Sequence, residues 1–503
     1  MKPTSGRFLS VWSCLLLAAC GATDTEPSAE DVLSLGPCPP EERIPDGMCG
    51  SLSVFEDPGA EDGGRVDLRI VVFPALSSTP APDPFVVLAG GPGQAATEIG
   101  GTVLGAFRGV HRSRDVVLVD QRGTGGSSGM SCSLDDDDDQ GTDELLVDPM
   151  ADSLLMAQTL IRLRECADSF LADPRFYTTD QAVDDLNQVL NGLGYDAVNL
   201  WGVSYGTRVG LEYMRRYPNH VRTAVLDGLA PPSIKLPLHM GEDGSRALNL
   251  MLEDCRASEA CNAAFPDLES ELSSLLGSLG TAPVETRVDH PRTGVVTDVV
   301  ISRTSVASVV RATLYSPQIA SLLPLAIHEA ARGRFEPLAA LSLGAGGGDA
   351  EIYVGMFLSV ICAEDVPFIT EADRMAAASD PLFGTSLIDS FRQMCSVWPA
   401  GEVPESYTEP VHSDVPTLLL SGQLDPVTPP RWGELVGETL SDALHIVVPG
   451  TGHNAFASGC LRDLIESFIE EGSLAGLEVE CAEEVERPRF FDTALGPDTG
   501  SRQ

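Results

Sequence analysis

The chain has 503 residues, of which 43% are hydrophobic, so it is long enough to bury a large core and is not disordered as a whole. Its 74 acidic side chains outnumber the 32 basic ones and give a net charge of −42. This charge argues against nucleic acid as a partner, because neutralising phosphates requires lysine and arginine.

The N-terminus has the pattern of a targeting segment. Lys2 and Arg7 form a basic start, and the apolar residues 8–19 are too few to cross a bilayer as a helix. The apolar stretch ends in Leu-Ala-Ala-Cys-Gly at residues 17–21, which resembles a bacterial lipobox, in which the cysteine, here Cys20, carries the lipid. We predict a signal peptide at residues 1–19, a lipidated tether at residues 20–50 and an exported protein anchored in the bacterial cell envelope. An ordinary secretory signal, and hence a secreted protein, is the alternative.

The cysteines support an exported destination. Twelve are present, and an even number remains when Cys14 of the signal and Cys20 are set aside. An even number in an exported chain predicts disulfides, whose pairing the sequence leaves open. Proximity in sequence suggests the pairs Cys38–Cys49, Cys132–Cys166, Cys255–Cys261, Cys362–Cys395 and Cys460–Cys481. Two cysteines separated by two residues occur nowhere, so no zinc or other metal site is predicted.

Strands and helices alternate in the first half of the chain. Apolar or alternating patterns predict strands at residues 66–74, 85–89, 115–120, 197–201 and 221–226. Amphipathic patterns predict helices at residues 153–171 and 180–193, the second with a capping box from Thr178 to Gln181. The acidic run at 135–139 is interpreted as a solvated loop, with a calcium site as the alternative. Such alternation is typical of a parallel sheet with helical crossovers.

The pattern then changes and returns. Residues 230–409 are rich in helical patterns, with a glycine-rich break at 344–348, and strand and helix alternate again to residue 471. We therefore predict an α/β fold, a mostly parallel sheet flanked by helices with a helix-rich inserted cap. Its predicted segments are a first core part at 51–229, the cap at 230–409, the last core part at 410–481 and a tail at 482–503.

One turn is predicted to carry the chemistry. The apolar strand at 197–201 runs into Gly202-Val-Ser204-Tyr-Gly206, and a helical pattern follows. This is the strand–turn–helix context of a nucleophile elbow, where side chains at the two glycines would collide with the neighbouring chain. Ser204 is the candidate nucleophile.

A serine needs a base and an orienting acid, and both follow later strands. Asp425 comes after the strand at 417–421, and His453 lies in a glycine-bounded loop after the strand at 444–448. Asp227, which ends the strand after the elbow, is the alternative acid. His445 falls within a strand and is interpreted as structural. In this class of fold the order is serine, acid, histidine, so Ser204, Asp425 and His453 are the predicted triad.

The glycine run Gly90-Gly-Pro-Gly93 ends an early strand. Bare glycine lets backbone N–H groups approach a developing oxyanion, so the predicted donors are the amides of Gly91 and Tyr205. A phosphate-binding loop, the alternative, would need a lysine or a glycine spacing that this segment lacks. No cofactor is predicted.

Together with Asp120-Gln-Arg-Gly-Thr-Gly125, these motifs resemble the prolyl/tripeptidyl aminopeptidase family of serine α/β-hydrolases, and residues 380–481 resemble its TAP-like C-terminal domain. The resemblance implies an aminopeptidase that acts on peptide substrates through an acyl-enzyme. Ala89 stands where proline iminopeptidases commonly have histidine, so proline specificity is not implied. A carboxylesterase on the same triad and a non-catalytic surface lipoprotein are the alternatives.

An aminopeptidase must hold a free ammonium group, and a carboxylate is its natural partner. In the predicted cap, an apolar run ends at Cys362-Ala-Glu364-Asp365, and similar segments occur in the family. We predict Glu364 as the primary amine contact and Asp365 as a secondary one, against the alternative that both are merely solvated.

Overall fold

The computed structural model describes residues 33–42, 44–60, 63–132, 153–290, 293–345 and 351–497. The predicted signal peptide, Cys20, the acidic run at 135–139 and part of the glycine-rich break lie outside these residues. Among the described helices, none combines the length and the apolar character that crossing a membrane requires.

Nine strands form the main sheet in the order β1-β2-β3-β5-β4-β6-β7-β10-β11. Every neighbouring pair from β5 to β11 is parallel, and β1, β2 and β3 extend the sheet antiparallel at one edge. The predicted mostly parallel sheet is therefore confirmed. The strands are β1 (Gly36–Pro37), β2 (Met48–Phe55), β3 (Arg65–Phe73), β4 (Phe85–Leu88), β5 (Val116–Val119), β6 (Val198–Val203), β7 (Val221–Asp227), β10 (Thr417–Gly422) and β11 (Ala443–Val448).

Helices connect the parallel strands and fill the long segment between β7 and β10. That segment also holds an antiparallel hairpin of β8 (Val284–Asp289) and β9 (Val296–Ile301). The helices are α1 (Gly100–Ala106), α2 (Arg108–Ser113), α3 (Ser153–Ser169), α4 (Thr179–Gly192), α5 (Tyr205–Arg216), α6 (Leu238–Ala257), α7 (Glu259–Ala264), α8 (Leu268–Leu279), α9 (Arg303–Thr313), α10 (Pro317–Ala320), α11 (Leu323–Ala330), α12 (Glu336–Ala345), α13 (Val354–Glu364), α14 (Glu371–Ala377), α15 (Ser386–Cys395), α16 (Pro430–Gly437) and α17 (Leu461–Glu471).

The predicted capping box at the start of α4 is wrong. Thr178 has extended backbone before the helix, but its side chain caps no backbone amide. Its hydroxyl instead donates to the carboxylate of Asp180, two residues further on. A hydrogen bond to a carboxylate is stronger than one between uncharged groups, so it sets the orientation of this side chain.

An aromatic cluster lies under one face of the sheet. Trp201 of β6 packs against Phe85, Phe107 and Phe456, with ring centroids between 5.0 and 6.2 Å apart. Burying such side chains stabilises the fold by roughly 1.5–3 kcal/mol each. Because Phe456 is only three residues beyond His453, this cluster also fixes the loop that carries the histidine.

Five disulfides are present in the described residues, and the predicted pairing is confirmed. The bonded pairs are Cys38–Cys49, Cys132–Cys166, Cys255–Cys261, Cys362–Cys395 and Cys460–Cys481. Disulfides in such number indicate a protein that matures in an oxidising, extracytoplasmic compartment.

Candidate active site

Ser204 occupies a strained turn between β6 and α5. Its backbone has φ 56° and ψ −123°, a conformation that non-glycine residues rarely adopt. The turn is held by a hydrogen bond from the Ser204 amide to the carbonyl of Asp227, 2.9 Å long, which ties it to the end of β7.

The two flanking glycines are sterically required. A Cβ at Gly202 would lie 2.5 Å from the carbonyl oxygen of Gly206, and a Cβ at Gly206 would lie 2.0 Å from that of Leu88. Both neighbours are backbone atoms, which cannot move aside as a flexible side chain can. The turn therefore depends on glycine at both positions, as the sequence predicts.

Asp425 and His453 meet at the carboxyl ends of β10 and β11. The Oδ2 atom of Asp425 lies 2.8 Å from Nδ1 of His453, and Asp425 is fully buried. The other oxygen of the carboxylate accepts the amides of Val427 and Thr428, at 2.8 and 2.9 Å. The Thr428 hydroxyl donates to Oδ2 at 2.7 Å. These donors fix the carboxylate, which in turn fixes the ring of the histidine.

The electrostatics of the pair favour its charged form. Burial alone would raise the pKa of the Asp425 carboxyl, but the nearby His453 ring and the Thr428 donors hold that pKa below its ordinary value. Burial likewise opposes a proton on His453, yet Asp425 raises the pKa of the imidazole above its ordinary value. The imidazole can therefore accept a proton from a neighbouring hydroxyl and be stabilised once it has done so.

Asp227, the alternative acid, contacts a different part of the same loop. Its two carboxylate oxygens accept the amides of Ala455 and Phe456, at 2.9 and 2.8 Å. Burial raises the pKa of this carboxyl to about 6. Asp227 thus anchors the loop beyond His453, and the ring nitrogen of His453 is bonded to Asp425 instead.

His453 and Ser204 lie at the same edge of the sheet, beside Gly228. A Cβ at Gly228 would lie 3.2 Å from Cε1 of His453, and the preceding carbonyl binds the Ser204 amide. Within the described residues no hydrogen bond joins the Ser204 hydroxyl to the imidazole. In proteins without bound substrate such catalytic hydrogen bonds are often long and tighten on binding.

The glycine-rich loop after β4 lies against the elbow. A Cβ at Gly90 would lie 3.4 Å from Cβ of Ser204, and Gly91 adopts a φ of 105° that glycine tolerates. In the part of the chain that the structure describes, neither the Gly91 amide nor the Tyr205 amide donates to a backbone carbonyl outside the helices and strands. Both amides are thus available to an external acceptor beside Ser204.

Glu364 and Asp365, the predicted amine contacts, lie at the end of α13 and are buried among partners within the protein. Glu364 is 1% exposed and Asp365 is fully buried. Glu364 accepts the amide and hydroxyl of Thr179, at 2.6 and 2.7 Å, and the hydroxyl of Tyr407. Both carboxylates also face the guanidinium of Arg208, at 3.3 and 3.0 Å. As placed, neither can receive a substrate ammonium without giving up these internal partners.

Two residues beside the predicted triad were missed from the sequence. Thr428 contacts both Asp425 and His453. In the sequence, only its position in the turn after Asp425 could have indicated this role. Tyr315, from the segment between β7 and β10, stacks edgewise on the His453 ring at 5.3 Å. Its carbonyl accepts the His453 amide at 3.0 Å. No pattern in the sequence near Tyr315 predicts this contact.

Two family models match the chain. The model for the alpha/beta hydrolase fold matches residues 83–261, and the model for TAP-like protein matches residues 380–481. The matched segments hold Ser204 in the first case and Asp425 with His453 in the second.

Three named hydrolases are similar in sequence to this chain. The serine protease Hip1 of Mycobacterium tuberculosis is 26% identical, over 94% of this chain and 98% of that protein. Carboxylesterase B of the same organism is 26% identical over 86% of each chain. The tripeptidyl aminopeptidase of Streptomyces lividans is 31% identical over 24% of this chain and 23% of that protein. This chain is therefore a serine hydrolase with the α/β-hydrolase fold and a TAP-like C-terminal domain, homologous to Hip1 and to tripeptidyl aminopeptidase.

Proposed function

We propose that this serine hydrolase is an aminopeptidase that releases residues or short peptides from peptide N-termini through an acyl-enzyme. The observation that carries the catalytic part is the buried Asp425–His453 pair, held at the edge of the sheet where the strained Ser204 turn lies. Ser204 is the nucleophile, His453 the general base and Asp425 the residue that orients the imidazole.

In the proposed reaction the Ser204 hydroxyl attacks the scissile carbonyl while Nε2 of His453 takes its proton. The amides of Gly91 and Tyr205 stabilise the resulting oxyanion. The imidazolium then protonates the leaving amine, and the acyl group remains on Ser204. Water repeats the cycle with the same base and releases the acyl portion, so no metal or cofactor takes part.

The choice of peptides as substrates is supported by the relatives, two of which are named as a serine protease and a tripeptidyl aminopeptidase. A carboxylesterase is the second candidate, because Carboxylesterase B matches most of the chain. The fold and triad alone do not choose between them. A non-catalytic lipoprotein is disfavoured by the buried Asp425–His453 pair, which a scaffold would not need.

A fluorophosphonate probe tests the catalytic proposal. Wild-type protein should be labelled at one serine, Ser204→Ala should abolish labelling and turnover, and His453→Ala should lower kcat by several orders of magnitude. Ser131→Ala, a change of an exposed serine outside the site, is the matched control. Labelling that persists in Ser204→Ala would contradict the assignment.

A substrate panel tests the specificity. Free-amine aminoacyl and tripeptidyl anilides should be cleaved, N-acetylated versions should be poor substrates, and short acyl esters should be turned over with lower kcat/KM. Efficient hydrolysis of the esters without cleavage of any anilide would favour the carboxylesterase.

A further inference from the structure

Tyr205 carries one of the proposed oxyanion donors on its backbone and is tied down at the far end of its side chain. The residue is 3% exposed, and its phenol oxygen lies 3.0 Å from Nε2 of Gln121 and 2.8 Å from the hydroxyl of Thr179. Thr179 in turn lies 2.7 Å from a carboxylate oxygen of Glu364. A chain of four side chains thus runs from the loop after β5 to the end of α13.

The chemistry of the groups fixes the direction of this chain. The Thr179 hydroxyl donates to a carboxylate oxygen of Glu364. With its single proton committed, Thr179 accepts from Tyr205, and the phenol accepts from the amide group of Gln121. Every hydroxyl therefore has one defined orientation, set by the carboxylate at the end.

The carboxylate is itself held firmly. Glu364 closes α13, whose Cys362 is bonded to Cys395, and it also faces Arg208 at 3.3 Å. Arg208 lies on α5, one turn after Tyr205, and its guanidinium sits 5.9 Å from the centre of the Tyr205 ring. Glu364 is thus bonded to the first turn of α5 through two routes, the hydroxyl chain and Arg208.

We propose that Glu364 is a positioning residue that holds Tyr205, and so its backbone N–H, in the geometry that receives the oxyanion. This inference rests on the proposed function, because it assumes that the Tyr205 amide stabilises a tetrahedral intermediate at Ser204. The Tyr205 amide acts on the carbonyl of the scissile bond, so this role does not depend on what the substrate carries at its N-terminus. The role therefore differs from an amine contact, which would matter for free-amine substrates alone.

The test measures kcat and KM on two substrates, the para-nitroanilide of alanyl-alanyl-phenylalanine and para-nitrophenyl butyrate, together with the affinity for alanyl-alanyl-phenylalaninal. The aldehyde forms a tetrahedral adduct with the serine and so reports on the oxyanion site. Tyr205→Phe removes only the phenol oxygen, and Glu364→Gln keeps the volume while removing the charge that orders the chain. Thr179→Val breaks the relay between them and provides a second route to the same result.

Tyr213→Phe is the matched control, since Tyr213 is a buried tyrosine of the same helix whose hydroxyl binds Asn187 and His220 instead. We expect the three test variants to lower kcat roughly 10–100-fold on both substrates, on the scale of a displaced or lost oxyanion donor, with KM within about threefold. Aldehyde affinity should fall by a similar factor. The control should stay within about twofold of wild type.

Two results would overturn the inference. One is that Tyr205→Phe and Glu364→Gln behave like the Tyr213→Phe control. The other is that Glu364→Gln lowers turnover of the free-amine anilide and leaves turnover of the ester unchanged. That result would favour the interpretation of Glu364 as the contact for the substrate ammonium. A wild-type protein that cleaves neither substrate and takes no fluorophosphonate label would instead overturn the proposed function, and the inference with it.

Discussion

His453 is oriented by the residues around one of its two ring nitrogens. Nδ1 faces Asp425 at 2.8 Å and Thr428 at 3.2 Å, which leaves Nε2 to face the substrate side. Burial lowers the pKa of the imidazole, but the charge and hydrogen bond of Asp425, together with the charge of Asp227, raise that pKa above its ordinary value. The proposed base is therefore inactive over a wider range of acidic pH than an ordinary histidine would be.

This arrangement predicts the pH profile. Since only neutral His453 can take the serine proton, kcat/KM should fall as pH falls through a midpoint above about 6.5, the ordinary histidine value. Asp425→Asn should move the midpoint to lower pH, because the charge that raises the pKa is gone, and should lower kcat about 10³–10⁴-fold. Activity assays between pH 5 and 9, roughly two units either side of neutrality, measure both effects.

The control is Asp414→Asn, which removes an exposed carboxylate. It should leave the midpoint where wild type has it. An Asp425→Asn profile with an unshifted midpoint would show that Asp425 does not set the charge of the base.

The candidate site residues that the sequence predicts are those with local signals. Ser204 lies between two glycines, and Asp425 and His453 each follow an apolar strand. Tyr315 and the inward-facing Glu364 could not be placed, because their roles depend on contacts between segments far apart in the chain. The excess of acidic residues made the burial of Glu364 harder to foresee, since most such side chains are solvated.

At the scale of elements, the turn at Ser204 depends on β4 and α5 approaching closely. The contact is made by Gly206, where a Cβ would lie 2.0 Å from the Leu88 carbonyl. Gly277, by contrast, lies exposed in α8, where a Cβ would meet no atom within 4 Å. The two glycines therefore test opposite effects of the same substitution.

Gly206→Ala should destabilise the protein by about 1–3 kcal/mol and abolish fluorophosphonate labelling, because backbone atoms must shift at the turn. Gly277→Ala should stabilise it by roughly 0.5–1 kcal/mol and leave labelling intact, because alanine lowers the entropy of the unfolded chain and favours helix. Urea unfolding, followed by circular dichroism, and gel labelling measure the two quantities. Normal labelling of Gly206→Ala would contradict the steric account.

Elements buried on both faces were predicted well, and exposed ones poorly. The continuous apolar run of β4 predicts a strand buried on both faces, and all four of its residues are buried. The hairpin of β8 and β9 exposes most of its side chains, so its apolar periodicity is weak. The small sheet of β8 and β9 was therefore not predicted within the helix-rich segment.

For the whole molecule, the five disulfides indicate an oxidising destination, and the lipobox-like sequence predicts how the protein is retained there. Cys20→Ser should shift the protein from the membrane fraction to a soluble one, or leave it unprocessed, because the lipid has no attachment site. Fractionation with immunoblotting measures this. Cys14→Ser, in the predicted signal, should leave retention unchanged, and a Cys20→Ser protein that is cleaved and membrane-bound like wild type would refute the lipid anchor.

The pairing of β7 with β10 joins distant parts of the chain, since Ala224 lies beside Thr417. Asp425 and His453 both come after that pairing. For a chain that threads through a membrane from its N-terminus, Ser204 arrives long before either partner. Such non-local closure is slow, because a long loop must be ordered before the contact forms. If the protein is exported as predicted, the order of threading therefore places the completion of the proposed triad after the last strands have crossed.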